Sequence, residues 1–229
     1  MASFVLIHSP LVGPLTWELV AAELRRRGHT AVVPSLTDST ASPEPLWRQH
    51  AALADEAVAG LPEAAPLNIV GHSGAGWLLP AIGAALGRPV AAYLFVDAQL
   101  PLAPGASPEP LPPELQQLLN AGGRYPNWRD DDLREEIPDP ALRARLLREL
   151  QPRGRDYFET PVPLPAGWPD APAAYLRFSP HYAPQFERAR ALGWPTHELP
   201  GGHFQLLVDP AGVSDVLLAL AQECRARDS

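Results

Sequence analysis

Residues 67–76 read Leu-Asn-Ile-Val-Gly-His-Ser-Gly-Ala-Gly, an apolar run that ends in small residues and a serine. The run has the length and composition of a buried strand, and a helical pattern over about 74–87 follows it at once. A chain that reverses from strand into helix within a few residues needs small flanks, because larger side chains would collide there. Gly71 and Ala75 meet that need. Ser73 is therefore expected at the tip of a sharp turn above the strand ends. The helix opening at Gly74 adds unpaired N–H groups and a favourable dipole, which makes Gly74 N–H a natural donor to an oxyanion. Taken alone, the stretch reads equally as a glycine-rich loop that binds phosphate or simply turns the chain.

Outward from this stretch, short apolar runs alternate with helical patterns. Strands are expected at 3–8, 30–35, 67–71 and 90–96, and helices at about 14–27, 45–60 and 74–87. The runs are continuous rather than alternating, as in Val90-Ala91-Ala92-Tyr93-Leu94-Phe95-Val96, which predicts strands covered on both faces. The fold class is thus α/β, a mostly parallel doubly wound sheet. Between 101 and 172 the pattern breaks, with prolines crowding 101–113 and 161–172 around helical stretches at 113–120 and 139–150. This segment is expected to form a small helical cap. The alternation resumes with a strand at 173–178, a helix at about 184–192, a short strand at 194–199 and a last helix from Pro210 to Arg225. The 229 residues are read as one domain, with a core of 1–100 and 173–229 and the cap at 101–172.

Composition excludes several classes of function. The net charge is −8, and the 18 basic residues, all arginine, are scattered among 26 acids, so neither nucleic acid nor an anionic membrane is an expected partner. The one cysteine, Cys224, leaves no intrachain disulfide or cysteine metal site. No metal spacing, dinucleotide fingerprint or phosphate loop occurs, and no cofactor is implied. Asp130-Asp131-Asp132 reads as a helix N-terminus rather than a cation site, because consecutive carboxylates splay apart. No signal-peptide pattern or membrane-length apolar run is seen, so a cytoplasmic protein acting on a small molecule is the expectation.

A serine hydroxyl needs a base with a pKa near neutrality. Of the seven histidines, His203 lies in the glycine-flanked loop Pro200-Gly201-Gly202-His203-Phe204 between the last strand and last helix. His8 ends the first strand and reads as a loop brace. Asp97, directly after strand 90–96, is the candidate for the third group, and Asp209 before Pro210 reads as a helix N-cap.

With the Gly71-His72-Ser73-Gly74-Ala75 turn and the late His203, nearly the whole chain resembles the α/β-hydrolase superfamily, as a minimal member beginning at the family's third strand. Ala75 replaces the last glycine of the G-x-S-x-G pattern. The resemblance implies a Ser73–His203–Asp97 triad, with the acid at a variant position after the family's sixth strand. Where the usual acid would follow strand 173–178, the sequence is Ser179-Pro180-His181-Tyr182-Ala183-Pro184, without a carboxylate. The first strand ends His8-Ser9-Pro10-Leu11, similar to the loop that gives the family its second oxyanion donor, but the donor position falls on Pro10, which has no N–H. Leu11 N–H or the Ser9 hydroxyl is expected to substitute, and Pro10→Gly to raise hydrolysis. Ser9, Pro10, His72, Tyr125, Trp128, His181 and Phe204 are the expected substrate-site residues. Tyr125 and Trp128 read equally well as staples of the cap, and His72 is expected to point away from the serine. The implied activity is hydrolysis of a small ester, lactone or thioester. The alternatives are a non-hydrolytic relative using Ser73 and His203 as acid and base, and a binding module without turnover.

Overall fold

A computed structural model describes residues 1–39, 42–61, 65–101 and 111–227. The elements in chain order are β1 (Ser3–Ile7), α1 (Leu15–Arg26), β2 (Thr30–Val32), α2 (Leu46–Val58), β3 (Leu67–Ser73), a 3₁₀ turn (Gly74–Leu78), α3 (Leu79–Ala85) and β4 (Val90–Ala98). Four helices follow, α4 (Pro113–Asn120), α5 (Asp130–Leu133), α6 (Pro140–Arg148) and α7 (Arg155–Glu159). The chain then re-enters the sheet through β5 (Ala173–Arg177), a 3₁₀ turn (Pro180–Tyr182), α8 (Ala183–Ala191), β6 (Thr196–Glu198), α9 (Gln205–Val208) and α10 (Pro210–Arg227). The six strands form one sheet in the order β2-β1-β3-β4-β5-β6, and every pairing is parallel.

Both faces of the sheet are covered, which is why its strands read as unbroken apolar runs. Phe4, Leu6, Val70, Leu94, Val96 and Leu176 point into a core with α1 and α10. Their neighbours Val5, Ile7, Ile69, Phe95 and Tyr175 point the other way, into a core with α2, α3 and α8. A third cluster joins Val12 and Leu15, between β1 and the body of α1, to Leu133, Ile137 and Leu146 of the β4–β5 excursion and to Phe204 and Leu207 beside the late histidine.

Several boundaries differ from expectation for local reasons. β2 stops at Val32, because Pro34 cannot donate to a ladder and Leu36 N–H bonds the His8 ring instead. The helix expected over 74–87 begins as a 3₁₀ turn, since Pro80 has no N–H for the Gly76 carbonyl. Asp209 caps α10 by accepting Gly212 N–H at 2.9 Å. Of the proline-rich stretch 101–113, residues 102–110 lie outside the described residues.

Candidate active site

β3 delivers Ser73 in a conformation that non-glycine residues rarely adopt, with φ 59° and ψ −129°. Such a geometry costs about 1–3 kcal/mol and persists only when its surroundings impose it. Here Gln99 N–H holds the Ser73 carbonyl at 3.1 Å. Two glycines permit the turn to pack. A Cβ on Gly71 would lie 2.7 Å from the Leu79 side chain, and one on Gly76 would collide with the carbonyl oxygen of Gln99.

Asp97, one strand over, is also held at positive φ, 42°, and is fully buried. Its Oδ1 accepts the backbone N–H groups of Phe178 and Ser179, each at 3.0 Å, and its Oδ2 accepts the Ser179 hydroxyl at 2.7 Å. His203 Nδ1 donates to the same Oδ2 at 2.7 Å. Burial alone would raise the Asp97 pKa; the bonds from His203, Ser179 and Phe178 outweigh it and hold the carboxyl below its ordinary range. An ionised Asp97 fixes the proton of neutral His203 on Nδ1, leaving the Nε2 lone pair to accept a proton.

His203 is sandwiched. His72 stacks on one side, with ring centroids 4.4 Å apart, and Tyr182 on the other, at 5.2 Å. His72 Nε2 donates to the His203 carbonyl at 2.9 Å, and burial pushes its pKa down to about 3. The structure thereby corrects the expectation that His72 lines the substrate space: it is 1% exposed and supports the His203 loop from beneath. Phe204 is corrected in the same way, since it is buried and wedged against His72, His203 and Trp128.

The Ser73 hydroxyl makes its hydrogen bond to the Tyr182 hydroxyl, at 3.3 Å; among the described residues none runs from Ser73 to His203. Burial raises the Tyr182 phenol above its ordinary pKa and keeps it protonated. His181, the sequence choice in this segment, is exposed and meets only the edge of Tyr182. The 3₁₀ turn over Pro180–Tyr182 sends the two side chains in different directions, and it is Tyr182 that reaches the serine.

Beside Gly74, the Ser9 oxygen lies 3.3 Å from where a Cβ on that glycine would stand, and the Tyr157 oxygen 3.6 Å from the same point. Leu11 N–H is directed at Ser9 Oγ, at 3.3 Å, so the expectation of a free oxyanion donor at Leu11 is corrected: its proton is already engaged. Pro10 is buried, and its carbonyl accepts Arg153 Nε at 3.1 Å. The Arg153 guanidinium also pairs bidentately with Asp38, and His50 Nε2 lies 3.5 Å from that carboxylate. His8 Nδ1 donates to the Ser9 carbonyl at 2.9 Å while its Nε2 accepts Leu36 N–H at 3.0 Å, so His8 braces this loop as a neutral ring.

Tyr125 and Trp128 pack edge to face, 5.6 Å apart, and Trp128 sits on Phe204 at 5.7 Å. Both are half-buried, and Tyr125 pairs through its backbone with Arg153. Trp128 thus staples the excursion to the His203 loop. Sequence reasoning missed Tyr157, Tyr182, Arg153 and Ser179. The clue at hand for Tyr182 and Ser179 was the carboxylate-free segment after β5, whose polar residues serve the acid that arrives from β4.

No group of three or more metal-ligating side chains exists among the described residues. Asp130, Asp131 and Asp132 open α5, where Asp130 and Asp131 pair with Arg143 and Arg134, and Asp132 accepts Arg129 N–H at 2.8 Å. No described helix is long and apolar enough to cross a membrane.

Comparison with solved structures places this architecture among known proteins. An extracellular α/β-hydrolase from a Paenibacillus species, described as sharing structural and functional homology with tobacco salicylic acid binding protein 2, superposes with a TM-score of 0.73 at 19% identity, covering 96% of this chain and 99% of its own. Polyneuridine aldehyde esterase gives 0.72 at 16% identity, covering 96% and 99%. The thioesterase domain from the curacin biosynthetic pathway gives 0.62 at 21%, covering 95% and 91%. A search of curated proteins matches none. The sequence profile of the alpha/beta hydrolase family matches residues 4–216, and the chain belongs to that family.

Proposed function

We propose that the protein hydrolyses a small carboxylic ester, lactone or thioester, with Ser73 as nucleophile, His203 as general base and Asp97 as the group that orients and charges the imidazole. The observation that carries this reading is the 2.7 Å bond from His203 Nδ1 to a buried Asp97 whose other oxygen is held by two backbone N–H groups. A merely structural histidine has no need of so defined an acceptor. Esterase and thioesterase relatives of the same fold support the class of reaction.

In the reaction, rotation of Ser73 about χ1 takes its hydroxyl from Tyr182 to His203 Nε2. The serine oxygen bonds to the acyl carbon as its proton passes to Nε2, and the carbonyl π pair moves onto oxygen. Collapse expels the alcohol or thiol, which takes the proton from His203. Water then repeats the sequence to release the acid. Gly74 N–H, at the start of the turn after Ser73, is one donor to the oxyanion. The β4–β5 excursion acts as a cap, with Tyr125 on the substrate side, Trp128 as its fastening and Tyr182, from the turn after β5, facing it across the serine.

A second reading, acid–base chemistry without acyl transfer, draws on the Ser73–Tyr182 bond and on the donor absent at Pro10. Trapping of an acyl-enzyme separates the two: an ester that leaves its acyl group on Ser73, with none on Ser73→Ala, supports acyl transfer, and release of no acid product with no acyl adduct supports the acid–base reading.

A further inference from the structure

We propose that Tyr157, carried by α7 of the excursion, is a catalytic residue: its phenolic O–H takes the place of the oxyanion-hole donor that Pro10 lacks. This rests on the hydrolase reading above and gives its tetrahedral intermediate a second donor.

Three observations converge on this residue. The Tyr157 oxygen lies 3.6 Å from the position a Cβ on Gly74 would occupy, on the same face of the serine turn as the Ser9 hydroxyl. That is beside the residue whose N–H is the first donor. Second, the Tyr157 hydroxyl has no hydrogen-bond partner among the described residues, although burial raises its pKa and keeps its proton in place. Its oxygen is not among the fully buried atoms without a partner, so it opens onto the site and its proton is available to an oxygen that gains charge there. Third, the ring is held in place. Arg153 lies 5.8 Å from the ring centroid while its Nε bonds the Pro10 carbonyl, and Phe158 packs edge-on at 5.0 Å. One guanidinium thus ties the phenol to the loop whose donor it replaces. Ser9 accepts Leu11 N–H and keeps its own proton free, but it is the lesser donor because an aliphatic hydroxyl is a weaker acid than a phenol.

In the acylation step, Ser73 Oγ bonds to the acyl carbon, its proton moves to His203 Nε2, and the displaced π pair resides on the carbonyl oxygen. Tyr157 donates a hydrogen bond to that oxygen and keeps its proton throughout. When the π bond reforms, the leaving group departs with the proton from His203.

The test is Tyr157→Phe, which removes one oxygen, assayed with p-nitrophenyl acetate alongside wild type, Pro10→Gly and the Tyr157→Phe/Pro10→Gly double variant. Loss of one oxyanion donor lowers kcat about 10²–10³-fold, and here KM stays within about twofold because the bond forms only in the transition state. Pro10→Gly alone gains much less over wild type than the double variant gains over Tyr157→Phe, because Tyr157 already serves the oxyanion; the rise in hydrolysis expected of Pro10→Gly from the sequence is thereby replaced. In the double variant the restored backbone N–H recovers at least about tenfold over Tyr157→Phe, a rescue that a purely structural tyrosine would not show. Full kcat in a folded Tyr157→Phe, or a gain of about 10²-fold in Pro10→Gly alone, overturns the role of Tyr157 while leaving the hydrolase reading intact. A wild-type protein that neither turns over the ester nor labels at Ser73 overturns both.

Discussion

Asp97 shows how much chemistry one residue can fix. Its Oδ1 is committed to two N–H donors, so only Oδ2 faces His203 and Ser179. In Asp97→Asn the amide oxygen stays with those backbone donors, and the amide nitrogen must turn to the imidazole. A donor facing Nδ1 moves the ring proton to Nε2, the tautomer that cannot accept from Ser73. The expected result is a fall in kcat of about 10⁴-fold with a folded protein; a loss below about tenfold in the ester assay would show that His203 is not oriented from this side. Asp97 was legible in the sequence because it directly follows an apolar run. Tyr182 and Tyr157 were not, since the direction of a side chain in a 3₁₀ turn or a five-residue helix is set by what that element docks against.

Among elements, the excursion between β4 and β5 is joined to the core by charge as well as by the Trp128–Phe204 contact. Arg153 reaches 115 residues back along the chain to Asp38, and both are largely buried, with side chains 10% and 5% exposed. Burial pushes the Asp38 pKa up, and the Arg153 pairing more than offsets it, so the carboxyl stays ionised. Removing the arginine strands that charge. Arg153→Met is expected to lose about 3–5 kcal/mol in urea unfolding, and adding Asp38→Leu to recover most of it; equal losses in the single and double variants would show that the pair is not what fastens the excursion. Strands and helices were readable because their apolar periods are local. This ion pair was not, because two charged residues carry no sequence mark of facing each other across so long a loop.

At the scale of the whole molecule, three buried neutral histidines make stability depend on pH. Burial lowers the pKa of His8 and His50 to about 4 and that of His72 to about 3, against about 6.5 when unfolded. Between these values the unfolded chain binds more protons, so stability is full above about pH 6.5 and declines as pH falls toward 4. Asp97 and Asp38, with lowered pKa, add losses in the same direction at lower pH. Each histidine contributes up to about 1.4 kcal/mol per pH unit. Unfolding free energy is therefore expected to drop by roughly 5 kcal/mol from pH 7 to pH 5, and a flat urea profile over that range would show that these rings titrate normally in the folded protein. The family membership and the six-stranded sheet agree with the sequence pattern. The loop after β1 departs from it, because Leu11 N–H is taken by Ser9 and the Pro10 carbonyl is held by Arg153 of the excursion.

The most direct measurement of the serine's role is intact-protein mass spectrometry after treatment with a fluorophosphonate, followed by peptide mapping. A nucleophilic Ser73 activated by His203 gives one adduct per chain, mapped to Ser73, absent in Ser73→Ala and formed far more slowly in His203→Ala. No adduct on the wild-type protein, or one that persists in Ser73→Ala, contradicts it.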